Sequence, residues 1–336
     1  MANTIGLDLG SEYTKLCIQG EKDLKYIPTL ITTETKTGTL RASGNEAKRM
    51  LGRTPLTLTV TKPIVNGLIA DIDSATMFVS DTLERLELGS LFKRLSIIAT
   101  IPPDAAEKEE DATEKTLINA GVSAIDYVDT PIAIALGAGM PHNISGGRMV
   151  VDIGAGHIGV SVISHGEVVV SSSVRTAGNA MTEAVKRYVA NVHSIEIGEN
   201  TAELIKIKLG ALNGQSQMKS LKINGRMIAE KGGPDKFTAS AIITSNELAP
   251  LIKPFADLII DRITATLGET PTEISSDISD FGILLSGGVS ALPGLSEYIE
   301  KALGISVTTT KTPSLDAAKG ILRIISGGHA FNKFLK

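Results

Sequence analysis

Tryptophan is absent from the 336-residue chain, cysteine occurs once, and aromatic residues make up only 4%. A lone Cys17 excludes an internal disulfide framework. It lies in an apolar run and reads as a small buried hydrophobe. No apolar stretch reaches the roughly 20 residues needed to cross a bilayer. The first residues also lack the charged and apolar regions of a signal peptide. A soluble, cytoplasmic protein is therefore expected. Neither charge dominates: 33 basic residues face 37 acidic ones, for a net charge of −4, which leaves no broad electrostatic footprint for nucleic acid. What is present is an aliphatic chain, 42% hydrophobic and long enough for two domains with a sizeable core.

One short pattern occurs twice, far apart. The first copy is Ile5-Gly6-Leu7-Asp8-Leu9-Gly10-Ser11, and the second is Val150-Val151-Asp152-Ile153-Gly154-Ala155-Gly156. Each is an apolar strand ending in Asp-x-Gly, followed by a turn of small residues and a return strand, Leu16–Ile18 or Val160–Ile163. Glycine lets backbone approach a ligand closely, and consecutive turn N–H groups form an anion-binding concavity. Two such hairpins face to face would hold a polyphosphate from both sides, with Asp8 and Asp152 near its metal. A single copy reads equally well as a tight strand–turn–strand.

Between the hairpins, residues 27–62 read as a small inserted subdomain. Next comes a helix with Ser74 as N-cap and Met77, Phe78, Leu83 and Leu86 on its buried face. Ser96–Ile101 is a buried strand stopped by Pro102-Pro103, and Asp104 is expected to cap a helix rich in Glu and Lys. A strand ending at Val128 precedes a helix of small residues opened by Pro131. After the second hairpin, helices are expected over Asn179–Val192 and from Ile197 to Leu209, then an exposed subdomain over 211–245. The strand Gly282–Leu285 runs into Ser286-Gly287-Gly288, and Pro293-Gly294-Leu295 opens the next helix. Strands alternating with helices, together with the restart, indicate α/β layers and an internal duplication.

Three features reinforce one another: the paired hairpins, Glu203-x-x-Lys206 on one helix face, and the glycine pair after a buried strand. Glu203 and Lys206 alone would more often form a solvated salt bridge. As a set, these residues resemble the actin, Hsp70 and sugar-kinase superfamily. Within it, Gly44-Asn45-Glu46-Ala47-Lys48-Arg49-Met50-Leu51-Gly52-Arg53-Thr54-Pro55 and Asn66-Gly67-Leu68-Ile69-Ala70-Asp71 are similar to the MreB family of bacterial actins. The resemblance implies an α/β, actin-like fold, a duplicated ribonuclease H-like unit with two domains and four subdomains around a central nucleotide cleft. Subdomain IA would take 1–28, 63–145 and 315–336, and IB would take 29–62. IIA would take 146–177 and 247–314, and IIB 178–246. It further implies bound ATP and Mg²⁺. Asp8 and Asp152 would lie near the metal through water. Gly10, Ser11, Glu12, Tyr13, Gly154, Ala155 and Gly156 would meet the phosphates. Glu203, Lys206, Gly287, Gly288 and Val289 would hold the nucleoside.

The chain departs from that family at the chemistry. Relatives carry a Glu directly before the proline of the connecting helix to position the attacking water; here the position is Thr130. A hydroxyl can hydrogen-bond a water but is no carboxylate base near neutral pH. The second loop reads Gly154-Ala155-Gly156-His157-Ile158 where MreB proteins usually have Gly-Gly-Gly-Thr-Thr, so two hydroxyls are lost. Binding is expected to survive with hydrolysis slowed, a weak ATPase at most. Asp129, one residue off, is a candidate substitute, and His157 reads as a surface or supporting histidine. Lys15, five residues after Gly10, is closer to the pattern of pilus-assembly or division relatives of actin.

Outside the cleft, Ser90-Leu91-Phe92-Lys93-Arg94 places two large apolar residues beside two cations. Each such side chain contributes about 1.5–3 kcal/mol on burial, and each cation about 1 kcal/mol near an anionic surface. Leu91 and Phe92 therefore read as an interfacial membrane anchor, or alternatively as core residues under the 97–101 strand. The C-terminal Phe331–Lys336, short, basic and apolar, reads as a frayed end, or alternatively as a second membrane contact. The partners implied are further copies of the chain in a filament, inner-leaflet lipid, and membrane-bound adaptor and wall-synthesis proteins. The place implied is the inner face of the cell membrane. A DNA-segregating or organelle-positioning filament and a non-polymerising adaptor of a pilus or division complex stay open as alternatives.

Overall fold

The computed structural model describes residues 4–87, 95–141, 143, 146–212, 218–228 and 238–336. Leu91 and Phe92 lie outside them.

Apolar residues in the first hairpin give β1 (Thr4–Leu9) and β2 (Tyr13–Ile18), with Asp8 opposite Lys15 across the pair. Cys17 is buried in β2, as expected. β3 (Lys25–Pro28) joins β2 antiparallel. The chain then leaves the main sheet for β4 (Ile31–Glu34), β5 (Leu40–Ser43), α1 (Gly44–Met50) and β6 (Leu58–Thr61). These form a separate small sheet in the order β5-β4-β6, closed over Leu30, Ala42 and Ala47. The two-residue strands β7 (Ile64–Val65) and β8 (Leu68–Ile69) are joined by Asn66 and Gly67, both at positive φ. Asn-Gly suits that tight turn because both central positions require the left-handed region.

α2 (Ile72–Arg85) starts earlier than its sequence suggests. Asp71 is the N-cap, accepting from the Ser74 N–H at 2.8 Å, so Ser74 lies inside the first turn. β9 (Ser96–Ile101) lies parallel to β1, and α3 (Glu107–Asn119) follows. Asp104 does not cap α3. The Glu109 carboxylate accepts from the Ala106 N–H instead, and Asp104 accepts from Ser173 of the other half. β10 (Ala124–Asp129) completes the sheet, and α4 (Thr130–Gly137) is buried from Thr130 to Leu136. A helix apolar on every face belongs in an interior.

The second half repeats the plan with β11 (Arg148–Ile153), β12 (Ile158–Ser164) and β13 (Glu167–Val174). Next come α5 (Gly178–His193), β14 (Ile195–Glu196), α6 (Glu199–Leu209), β15 (Ser220–Met227) and β16 (Thr238–Thr244). The three strands of this stretch form a second small sheet. The chain ends with α7 (Ser245–Glu269), α8 (Thr272–Phe281), β17 (Ile283–Ser286), α9 (Leu295–Leu303), β18 (Val307–Thr309) and α10 (Asp316–Gly327). The two large sheets run β10-β9-β1-β2-β3 and β18-β17-β11-β12-β13. Position by position, parallel and antiparallel pairings agree, so the duplication read from the sequence is present in the topology.

α4 and α10 sit between the sheets, in one core with Ile98 and Val128 of the first half and Val150, Ile163 and Leu284 of the second. Their backbones touch. A Cβ on Gly137 would lie 1.8 Å from the Asp316 carbonyl oxygen, and one on Gly320 would lie 1.7 Å from that of Ala133. Further ties cross between the halves: Arg175 grips the Glu109 carboxylate at 2.8 and 2.9 Å and reaches the Asn66 carbonyl at 3.2 Å. The C-terminus is not frayed. Phe334 is buried, the backbones of Lys336 and Tyr127 exchange two hydrogen bonds, and the Lys336 ammonium lies 2.6 Å from Asp129. A terminus pinned by both backbone and core leaves no Phe334 side chain for a membrane. No described helix is long and apolar enough to cross one.

Candidate nucleotide site

Both Asp-x-Gly loops open onto one cavity of about 640 Å³, within the range of small-molecule sites. Asp8, Gly10, Ser11, Glu12, Tyr13, Thr130, Asp152, Gly154, Ala155, Gly156, Glu203, Lys206, Gly287, Gly288 and Val289 all line it. The structure thus brings the nucleotide, metal and Thr130 candidates from the sequence into one place; Asp129 is the exception.

The loops also touch each other. A Cβ on Gly156 would lie 2.4 Å from Ser11 Oγ, 2.7 Å from Asn66 Cα and 2.8 Å from Gly67 N. Only glycine fits where the second loop passes the first. Ser11 is buried, and its Oγ accepts from the Gly67 N–H at 2.7 Å, which joins the β7–β8 turn to the same point. The Gly154 and Ala155 carbonyls accept from Gly178 and Asn179 at the start of α5, fixing the second loop against that helix. Gly287 has φ +84°, and its missing Cβ would meet the Ile153 carbonyl at 2.3 Å and Asp152 Oδ1 at 2.6 Å.

The two acidic residues differ in their surroundings. Asp8 accepts from Thr100 Oγ1 at 3.1 Å through one oxygen and pairs with the Lys15 ammonium at 3.0 Å through the other. Burial opposes charge on Lys15, yet Asp8 and, further off, Asp152 hold its pKa above the ordinary lysine value. Asp152 has His157 Nε2 at 3.7 Å. Burial pushes its carboxyl above the usual carboxylate range, and the neighbouring Asp8 charge adds to the rise, against the pull of His157 and Lys15.

Glu12 lines the cleft with its carboxylate already engaged, by Lys48 at 3.0 Å and Lys62 at 3.3 Å. Lys62 also reaches Glu199, at the first turn of α6, an ion pair that ties the first half of the chain to the second. Glu203 and Lys206 form an ion pair at 2.7 Å, but not a solvated one. Lys206 is 8% exposed and donates to the Gly178 carbonyl and Thr182 Oγ1, both at 2.9 Å. Thr130, at the first position of α4, faces the cleft. Asp129 does not: its carboxylate is taken by Lys336 on the far side, which removes it as a substitute for the missing Glu.

Sequence reading missed one wall. Lys311, Thr312, Pro313, Ser314 and Leu315 line the cavity together with Ile207 and Leu292. The Pro313 carbonyl, accepting from Gly287 N–H at 3.1 Å and Ser286 Oγ at 3.0 Å, ties this segment to the glycine pair. Pro313 following Thr312 was the only local signal, and it marks a turn without revealing where the turn docks.

The family model described as MreB/Mbl protein matches residues 2–333. The chain belongs to the MreB/Mbl family. Within this family, the cell shape-determining protein MreB of Escherichia coli (strain K12) is 32% identical over 325 residues, covering 95% of this chain and 92% of that protein. Among solved structures, MreB 5 of Spiroplasma citri bound to AMPPNP superposes with a TM-score of 0.88 at 27% identity, covering 96% of this chain and 95% of that one. The same protein bound to ADP gives 0.88 at 26%, covering 98% and 99%. The MamK double helical filament, at 18% identity, gives 0.78 over 97% of this chain and 99% of the other, a likeness of fold alone. The fold is actin-like, and this MreB/Mbl member stands among cell shape-determining proteins.

Proposed function

We propose that the chain binds Mg·ATP in the cleft, hydrolyses it slowly, and assembles into membrane-associated filaments that organise cell shape and wall synthesis. The observation that carries this is the convergence of both Asp-x-Gly loops on one cavity of about 640 Å³. The occupancy of the S. citri neighbour by AMPPNP and by ADP supports the ligand class, and membership of the MreB/Mbl family supports assembly.

The residues fit the group. Gly156 lets the two loops close on each other and Gly287 lets its loop close on Ile153 and Asp152, where a Cβ would clash, and Asp8 and Asp152 both line the cavity so formed. Among the described residues no cluster of three or more His, Cys, Asp or Glu is placed to hold a metal. Asp8 and Asp152 therefore suit a cation that takes its remaining ligands from water and phosphate, the usual habit of Mg²⁺. Bound there, Mg²⁺ supplies charge neutralisation of the phosphates. The loop segments 10–13 and 154–156 grip the phosphate end. Glu203, Lys206, Gly287, Gly288, Val289 and the 311–315 segment take the nucleoside end. Thr130 offers a hydroxyl to orient a water but no carboxylate to take its proton, so positioning outlasts chemistry.

High-speed pelleting with Mg·ATP, with Mg·ADP and without nucleotide, followed by negative-stain microscopy, tests the reading. Filaments dependent on ATP are expected. Protein left in the supernatant under all three conditions would replace it with a non-polymerising adaptor.

A further inference from the structure

The phosphate end of the cleft already contains a cation. Lys15 lines the cavity with its ammonium 3.0 Å from Asp8 Oδ2. The same ammonium would lie 3.2 Å from a Cβ on Gly10, so it sits directly against the first phosphate loop. It is held there by register, since Lys15 is the residue opposite Asp8 across β1 and β2. Its charge acts on Asp152 as well. Of the other lysines around the cleft, Lys48 and Lys62 hold Glu12 and Lys206 holds Glu203. Both oxygens of Asp8 are engaged, one by Lys15 and one by Thr100, so this carboxylate stands at the phosphate end already paired with a cation.

A polyphosphate entering beside two carboxylates meets charge of its own sign, and a divalent cation ordinarily relieves that repulsion. Here an ammonium fixed by the hairpin already neutralises one of the carboxylates. We propose that Lys15 is a built-in counter-ion that lets the cleft bind nucleoside triphosphate with only a weak requirement for Mg²⁺. This rests on the cleft being a nucleotide site. It concerns binding and not turnover, because Lys15 is no substitute for the carboxylate missing at Thr130.

Isothermal titration of ATP into the full chain, in excess Mg²⁺ and again in EDTA, tests it. The wild-type affinity is expected to fall by less than about tenfold on removing the metal. Lys15→Met is expected to weaken binding in both buffers, but by about tenfold or more further in EDTA than in Mg²⁺, with Lys15→Arg restoring most of the difference. A merely structural lysine would lower thermal stability in the Met variant while leaving the ratio of the two affinities unchanged. Wild-type binding that vanishes in EDTA overturns the inference and leaves the nucleotide site standing. Lys15→Met binding in EDTA as well as the wild type also overturns it. No ATP binding by the wild type even in Mg²⁺ removes the nucleotide reading itself. The wild-type measurement decides even if the Met variant does not fold.

Discussion

The two halves share a strand order and differ in the few residues at the tips of their first hairpins. In the first half the acid is neutralised by the residue across the ladder, Asp8 by Lys15. In the second the residue opposite Asp152 is Gly159, and the nearest cationic candidate is His157, in the loop itself. One acid is paired through the sheet and the other is left to burial. The duplicated frame thus fixes where each carboxylate stands, while single side chains decide what it costs to keep it charged.

The sharpest way to break the symmetry is at the loop glycines. Gly156→Val drives a side chain into Ser11 Oγ and the Asn66 backbone, whereas a Cβ on Gly154 meets its first neighbour at 3.4 Å. ATP affinity by titration calorimetry is expected to fall by about a hundredfold or more in Gly156→Val and to change little in Gly154→Ala. Equal losses would mean that the contact between the loops is not what shapes the site. A smaller effect is expected at the hub. Thr130→Glu should raise phosphate release by about tenfold or more if the absent carboxylate limits turnover, and an unchanged rate would assign the limit to the second loop.

The smallest effects carry the opposite signs that the comparison requires. The folded-state pKa of Asp152 is raised, so the native state holds its proton more tightly than the unfolded chain does. Its contribution is favourable at low pH and is lost as pH rises through the folded value, so burial works against the charged carboxylate. Asp152→Asn should therefore raise the melting temperature of ligand-free protein at pH 7 by about 1–3 °C, even as Mg·ATP binding weakens. Asp8→Asn removes the partner of the half-buried Lys15 ammonium and should lower it by a similar or larger amount. Thermal scans of both variants in the same buffer check the pair, and shifts of the same sign would show that the two acids are equivalent after all.

Much of this was readable from residue order because the signals were local. Apolar runs ending in Asp-x-Gly dictate strand and turn within a dozen residues, and their repetition dictates a second domain. Capping was less legible: Asp71 and Ser74 are both good caps, and only the backbone decides between them. The wall at 311–315 was hidden because nothing in Lys311-Thr312-Pro313 records that Ser286 and Gly287 will donate to it from another segment. Lys336 was misread for the same reason, since the Tyr127 backbone and the Asp129 carboxylate that hold it are distant in sequence.

The contact between α4 and α10 has a longer reach than its size. At Gly137 and Gly320 the helices meet main chain to main chain, with no side chain between them. Most packed surfaces can drift as substitutions accumulate, each new shape shifting its neighbour by a fraction of an ångström. Here there is nothing to substitute that would keep the spacing. The two glycines work as a fixed gauge, setting the spacing of the two helices packed between the sheets from atoms that every residue possesses.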